Sequence, residues 1–207
     1  MPQTYTEIDI CNKALLRLSA NMVEGVADTV ASITSDSLEG KLCKLNYDLI
    51  RDIVLEDRVW SFALGRAVLD EPFANKPSFG YANQFAIPPD ALNVWRVYEP
   101  NHYGHLYQTQ KPWILEDRFI LTNLEVLWVH YIKRLDNELI QNASNQFIDC
   151  LSLRLAIEFC MPLTESSKLQ QALMMEYRER LVDASSVDGS QATHETFSTS
   201  ALIKARH

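Results

Sequence analysis

The stretch FGYANQFAIPPDALNVWRVYEP, residues 79–100, decides how this chain is read, because it sets five aromatic rings around a double proline. Proline lacks the amide that a central strand must donate, so Pro88-Pro89-Asp90 reads as a turn or a sheet margin. Before it, Phe79, Tyr81 and Phe85 share one face of an extended segment, and after it residues 92–98 form a second strand. The alternation extends outward. It begins at Trp60, Phe62 and Leu64, returns in a hairpin over residues 113–121 turning at Glu116-Asp117, and ends in a strand over 126–133. Residues 60–135 therefore read as a small antiparallel β module.

On either side the period becomes helical. Thr6 and Asp9 have capping-box spacing, and Ile8, Cys11, Leu15 and Leu18 recur on one face of a first helix over residues 7–18. After a connector over 19–34, a second helix starts at Ser35 or Asp36. Its expected buried stripe is Leu38, Leu42, Leu45, Leu49 and Ile53, opposite Lys41, Lys44, Asp48, Asp52 and Glu56. Ser144 caps a third helix carrying Phe147, Leu151 and Leu155, which should stop at Pro162. A fourth runs from about Glu165 with Leu169, Leu173, Tyr177 and Leu181 in register. The fold class expected is α+β: a helical bundle from both chain ends (1–59 and 136–185), an inserted β module (60–135), and a polar tail (186–207) whose composition supports no core of its own.

With 207 residues and 47% hydrophobic residues, the chain can bury a sizeable core. A net charge of −8 argues against a general grip on phosphate, which needs a basic stripe. No run approaches the roughly 20 apolar residues of a membrane span, and the N-terminus lacks a basic leader with an apolar segment. Cys11, Cys43, Cys150 and Cys160 fall in helical patterns without CxxC pairing, which implies buried thiols.

Candidate chemistry is sparse. His102 and His105 could offer two imidazoles to a metal, but no third ligand lies nearby in the sequence. His130 reads as a satisfied or interface histidine. Asp90, Glu99, Glu116 and Asp117 could supply the facing acids of a glycan hydrolase, or could simply be turn residues. Single, scattered glycines form no phosphate loop, and no GxSxG element occurs. Trp60, Phe62, Phe85, Trp95, Trp113 and Trp128 read as the module's core or its packing against the helices, since the interleaved basic residues of a stacking site are not evident. No cofactor is expected. LEDR occurs at 55–58 and 115–118 in different contexts and reads as chance.

The order of these elements resembles the phage head-to-tail adaptors of the tail tubular protein A type. EIDICNKALLRLSA is similar to that family's first helix, and SLEGKLCKLNYDLIRDIVLEDRVWSFALGRAVL to its second helix and the Trp-x-Phe lead into its β block. FGYANQFAIPPDALNVWRV, ILEDRFILTN, LWVHYIKRLDN and the closing helical segment FIDCLSLRLAIEFCMPLTESSKLQQALMMEYRERLVDA complete the resemblance over residues 6–184. The connector departs from it, with LSANMVEGVADTVASI in place of a Gly-x-Pro-Pro-like turn. The resemblance implies a non-enzymatic virion protein assembled in the host cytoplasm into a dodecameric ring. Portal would lie on one side and the next tail component, of nozzle or tail tubular protein B type, on the other. DNA would pass through without specific binding, and no membrane would be involved. Phe197, Leu202, Ile203, Lys204 and Arg206 are then expected to dock on portal or a neighbouring subunit, and Asn101, His102, Tyr103 and His105 to face the tail. A virion-associated glycan hydrolase, and a stopper or minor tail protein of a long-tailed phage, remain open alternatives.

Overall fold

The structure, a computed structural model, describes residues 5–191 apart from 26, 28, 101–106, 109–111 and 136–139; for 107–108 and 185–191 it describes the backbone alone. Among the described residues are four α-helices and two antiparallel sheets, so the chain is α+β.

Helix α1 (Glu7–Arg17) starts at a reciprocal capping box, in which the Asp9 amide donates to Thr6 Oγ1 (3.1 Å) and the Thr6 amide to Asp9 Oδ2 (3.0 Å). The connector is anchored back onto this helix. Asn12 accepts from the Val23 amide (2.8 Å) and donates to the Val23 carbonyl (3.0 Å), while buried Glu7 accepts from the Val30 amide (2.8 Å). Helix α2 (Leu38–Asp57) is capped by Ser37, whose hydroxyl accepts from the Gly40 amide. Helix α3 (Asn145–Thr164) is capped by Ser144, and α4 (Ser167–Gln191) by Ser166, which accepts from the Leu169 amide (3.2 Å).

Helices from both ends of the chain share one core, which includes Ile10, Leu15, Tyr47, Phe147, Phe159 and Tyr177. Asp149 is the ionic centre of this layer. On α3 it meets Lys13 (2.8 Å) and Arg17 (2.7 Å) of α1 and Arg180 (3.7 Å) of α4. Burial alone would raise its pKa, but the Lys13 hydrogen bond and the charges of Lys13, Arg17 and Arg180 bring it below the usual carboxylate value.

Three helical expectations are corrected. The face of α2 turned inward is Gly40, Cys43, Tyr47, Ile50, Val54 and Leu55, with Arg51 buried against Asp48 and Asp52. Leu38, Leu45 and Leu49 are instead 51%, 78% and 60% exposed. Both faces of α2 carry an apolar repeat, so periodicity cannot choose between them. Small Gly40 lets the helix lie against the connector, where an added Cβ would press on the Ser35 carbonyl and Ile33. Helix α3 passes through Pro162 and ends at Glu165, whose φ is +51° and whose amide donates to the Met161 carbonyl (3.1 Å). The missing proline amide falls in the last turn, where Thr164 Oγ1 donates to the Cys160 carbonyl (2.7 Å), so the loss is small. Helix α4 starts at Ser167 and runs past Ala184 to Gln191, into the segment expected to be a free tail.

The β region is two sheets rather than one. Strands β1 (Leu64–Leu69), β3 (Ala91–Glu99), β4 (Tyr107–Gln108) and β7 (Leu127–Lys133) are ordered β1-β7-β3-β4, while β2 (Asn83–Ala86), β5 (Trp113–Glu116) and β6 (Phe119–Thr122) are ordered β2-β6-β5. Between them lies a second core of Phe85, Ile87, Val97, Ile120, Leu127 and Val129. The double proline is the hinge between the sheets. Arg118, beside the β5–β6 turn, donates to the carbonyls of Pro88 (2.8 Å) and Pro89 (3.3 Å), and Asp90 accepts from the Tyr131 hydroxyl (3.3 Å). Trp60 and Phe62 are not strand residues. They flank the 3-10 turn Ser61–Ala63 or lie in it, and both rings meet Phe147 edge-on at 5.2 Å. Phe79 precedes β2 and is 88% exposed.

Because Asp149 ties α3 to two other helices, Asp149→Asn is expected to lower unfolding stability by about 2 kcal/mol, the usual scale for losing partly buried charge-assisted contacts. Urea unfolding at pH 7 measures it. A change below about 0.5 kcal/mol, the range of an ordinary surface substitution, would show the cluster to be ornamental to stability.

Candidate functional site

One face of the four-stranded sheet closes over the β core, and the other is divided. Toward one end Ile132 joins the helical core. Beyond it, Arg66 of β1, His130 of β7 and Arg96 of β3 stand opposite one another, followed by Val68, Trp128 and Tyr98. Strand β3 has an extra residue here, since Val94 faces Tyr131 and Arg96 faces the next residue, His130. The resulting bulge brings Trp95 to the same neighbourhood. Its ring stacks on His130 (6.1 Å between centroids, 14° between planes), and the Arg96 guanidinium lies 4.2 Å from the Trp95 centroid on the ring face. The Tyr98 ring meets His130 edge-on at 4.9 Å, with its hydroxyl 3.4 Å from Nδ1. Beside this stack, a depression of about 280 Å³ between β1 and β7 is lined by Arg66, Ala67, Val68, Trp128, Val129 and His130.

The electrostatics follow from this crowding. Burial, and then the charges of Arg66 and Arg96, lower the pKa of His130, so its imidazole is neutral at pH 7. No carboxylate pairs with Arg66 or Arg96 among the described residues.

A second surface is the outer side of α2, where Leu38, Leu45 and Leu49 are exposed among Lys41, Lys44 and Asp48. These leucines are spaced for one helical face, with Leu42 and Ile53 half-buried at its margin.

The residues singled out from the sequence fare differently. Asn101, His102, Tyr103 and His105, and likewise Phe197, Leu202, Ile203, Lys204 and Arg206, lie outside the described residues. The four acids do not converge. Asp90 immediately precedes β3 and Glu99 ends it, roughly 30 Å apart at the usual rise per residue. Glu116 and Asp117 sit at an exposed turn in which Asp117 has φ +54°. No group of three or more His, Cys, Asp or Glu side chains is placed to hold a metal among the described residues. All four cysteines are buried and free, and burial pushes the Cys150 thiol up to about 11.

The sheet face corrects the sequence reading of the aromatic rings. Trp113 packs against the β core as expected, but Trp95 and Trp128 are half-buried on the open face and share it with two arginines. Arg66, Arg96 and His130 come from three separate strands, so no sequence window contains them together. The alternation of β3 gave no sign of the bulge at Trp95. No protein-family model matches the chain, and no curated protein matches it.

A histidine with a lowered folded pKa stabilises the fold fully above its ordinary value of 6.5, and this contribution is lost as pH falls, because the unfolded chain takes up the proton first. Thermal unfolding of the parent and of His130→Gln should therefore differ most at pH 7.5 and converge toward pH 5. A difference that grew on acidification would reverse the sign assigned to His130.

Proposed function

We propose that this chain is a structural subunit of a head-to-tail adaptor ring, joining portal to the next tail component around a DNA channel. In this reading α1–α4 make an antiparallel bundle (1–59 and 136–185), into which the β module (60–135) is inserted. The stretch from 186 to 207 is a docking arm, helical at its start and contacting portal or the adjacent subunit through Phe197, Leu202, Ile203, Lys204 and Arg206. Asn101, His102, Tyr103 and His105 face the tail.

The observation that carries the proposal is the exposed leucine face of α2. A helix already buried on its opposite side has no need of a second apolar face unless another surface covers it. Each leucine fully covered contributes about 1.5–3 kcal/mol. Head-to-tail contacts between identical subunits close into a ring when each contact rotates by the same fraction of a turn, and α2 supplies one half of such a contact. The net charge of −8 suits a channel wall that DNA must slide past. The resemblance in element order supplies the position in the particle and the dodecameric number. Catalysis has less support, because Glu99 lies at the far end of β3 from Asp90, and Glu116 and Asp117 sit at an exposed turn.

Purified protein is expected to be monomeric by light scattering and to form a twelvefold ring when mixed with the portal protein of the same genome, counted by electron microscopy. The double variant Leu45→Glu/Leu49→Glu should keep the parent's circular dichroism and melting temperature yet fail to enter the ring. A variant that assembles as the parent does would remove α2 from the interface, and no binding to portal by the parent would remove the adaptor reading.

A further inference from the structure

We propose that the open part of the four-stranded sheet, between Arg66 and Trp128 and bordered at His130 by the Arg96–Trp95–His130 stack, binds a nucleotide unit: an aromatic base joined to a phosphate. The inference stands on this face alone and holds whether or not the chain forms a ring.

Charge gives the first argument. The protein is strongly acidic, yet here Arg66 and Arg96 flank one histidine from the strands on either side, with no acidic partner among the described residues. Like charges gathered in this way are unfavourable in the empty site and become favourable when an anion sits between them. Both arginines are exposed, so their guanidinium groups are available to phosphate oxygens.

Shape gives the second. The depression has a basic end, Arg66 and His130, and an apolar end, Val68 and Trp128, one side-chain repeat further along the same two strands. That repeat is about 6–7 Å, the reach of a nucleotide from its phosphate to its base. A volume of about 280 Å³ suits one such unit rather than a dinucleotide. Trp128 is half-buried and offers a ring surface at the apolar end, and stacking a base on an indole is indifferent to base identity. The lining has no carboxylate or amide side chain, the groups with which proteins usually hold sugar hydroxyls.

Neutral His130 has a defined part. Its ring is held between Trp95 and the Tyr98 hydroxyl, and the charged groups facing it are Arg66 on β1 and Arg96 on β3. A phosphate entering beside it offsets those two charges, which raises the imidazole pKa and lets it donate to the anion. Binding is therefore tighter at pH 6 than at pH 8.

The shared chemistry of base and phosphate could come from a free nucleotide or from a single strand of nucleic acid. Quenching of tryptophan fluorescence in the full chain, titrated with adenosine 5′-monophosphate and with short oligothymidylate, separates these sources. Equal affinity per site assigns the free nucleotide, and tighter, steeply salt-dependent binding of the oligomer assigns the strand. Arg66→Ala and Arg96→Ala are expected to weaken either ligand about tenfold or more, with melting temperatures near the parent's because both positions are exposed. Trp128→Leu should weaken it as well, while Arg66→Lys should restore part of the loss. The proposal is overturned if neither probe binds at millimolar concentration, if the arginine variants bind as the parent does, or if inorganic phosphate or polyglucuronate competes as well as the nucleotide.

Discussion

Helix α3 is apolar on almost every side, and the rest of the structure is arranged to surround it. Phe147, Ile148, Leu151, Leu153, Leu155, Ala156, Ile157 and Phe159 are all buried, which a helix can achieve only with neighbours around most of its circumference. Helices α1, α2 and α4 provide them, together with the Trp60 turn. Asp149 is the charged exception in the first turns of α3, and it is tolerated because Lys13, Arg17 and Arg180 converge on it. Burial selects which elements touch α3, and the ion pairs select their alignment along it.

Trp60 carries that constraint into the β region. Its indole donates to the Val54 carbonyl (2.9 Å) at the end of α2, packs edge-on against Phe147 and lies under the Arg58 guanidinium. The chain thus leaves the helical layer pinned at its last buried ring, and β1 begins four residues later. Gly65, at the start of β1, lies beneath the Tyr131 ring, where any Cβ would collide with it. The hydroxyl of that ring reaches Asp90 of the double-proline turn. A single path of contacts therefore runs from α3 through Trp60 to β1, across Tyr131, and on to the margin where the two sheets meet.

Much of this was legible. Caps are local, so Thr6 with Asp9 and Ser144 announced two helix starts from side chains within one turn of each other. The double proline announced a sheet margin because its missing amides forbid anything more central, although Arg118, the residue that pins it, is far along the chain. Illegibility began where two answers satisfied the same local rule. Helix α2 has two apolar repeats, and the inward one carries Gly40, whose close approach to the connector leaves no room for a Cβ, and a buried Arg51 whose charge is met by Asp48 and Asp52 of the same helix. Pro162 carried a stop signal that was real but late by half a turn, since a proline in a final turn costs little. The tryptophans of β3 and β7 read as core by composition, whereas the bulge at Trp95 and the strand order decide their environment.

The same bulge explains why a cationic patch persists on an acidic protein. Strand β3 serves three surroundings within a few residues: Leu92 packs toward the helices, Val94 and Val97 toward the β core, and Trp95, Arg96 and Tyr98 toward the open face. A regular strand alternates between two sides, so turning two successive residues, Trp95 and Arg96, toward the same side requires an extra residue, and β3 has register shifts between Ala91 and Asn93 and between Val94 and Arg96. Stacking Arg96 on Trp95, and Trp95 on His130, then makes the arrangement tolerable. The indole face attracts the guanidinium while the buried imidazole stays neutral, so two positive charges share a site that would hold three if His130 kept its proton. The patch is therefore built at a cost in register and in protonation, and both follow from placing aromatic and basic residues at adjacent positions of one strand.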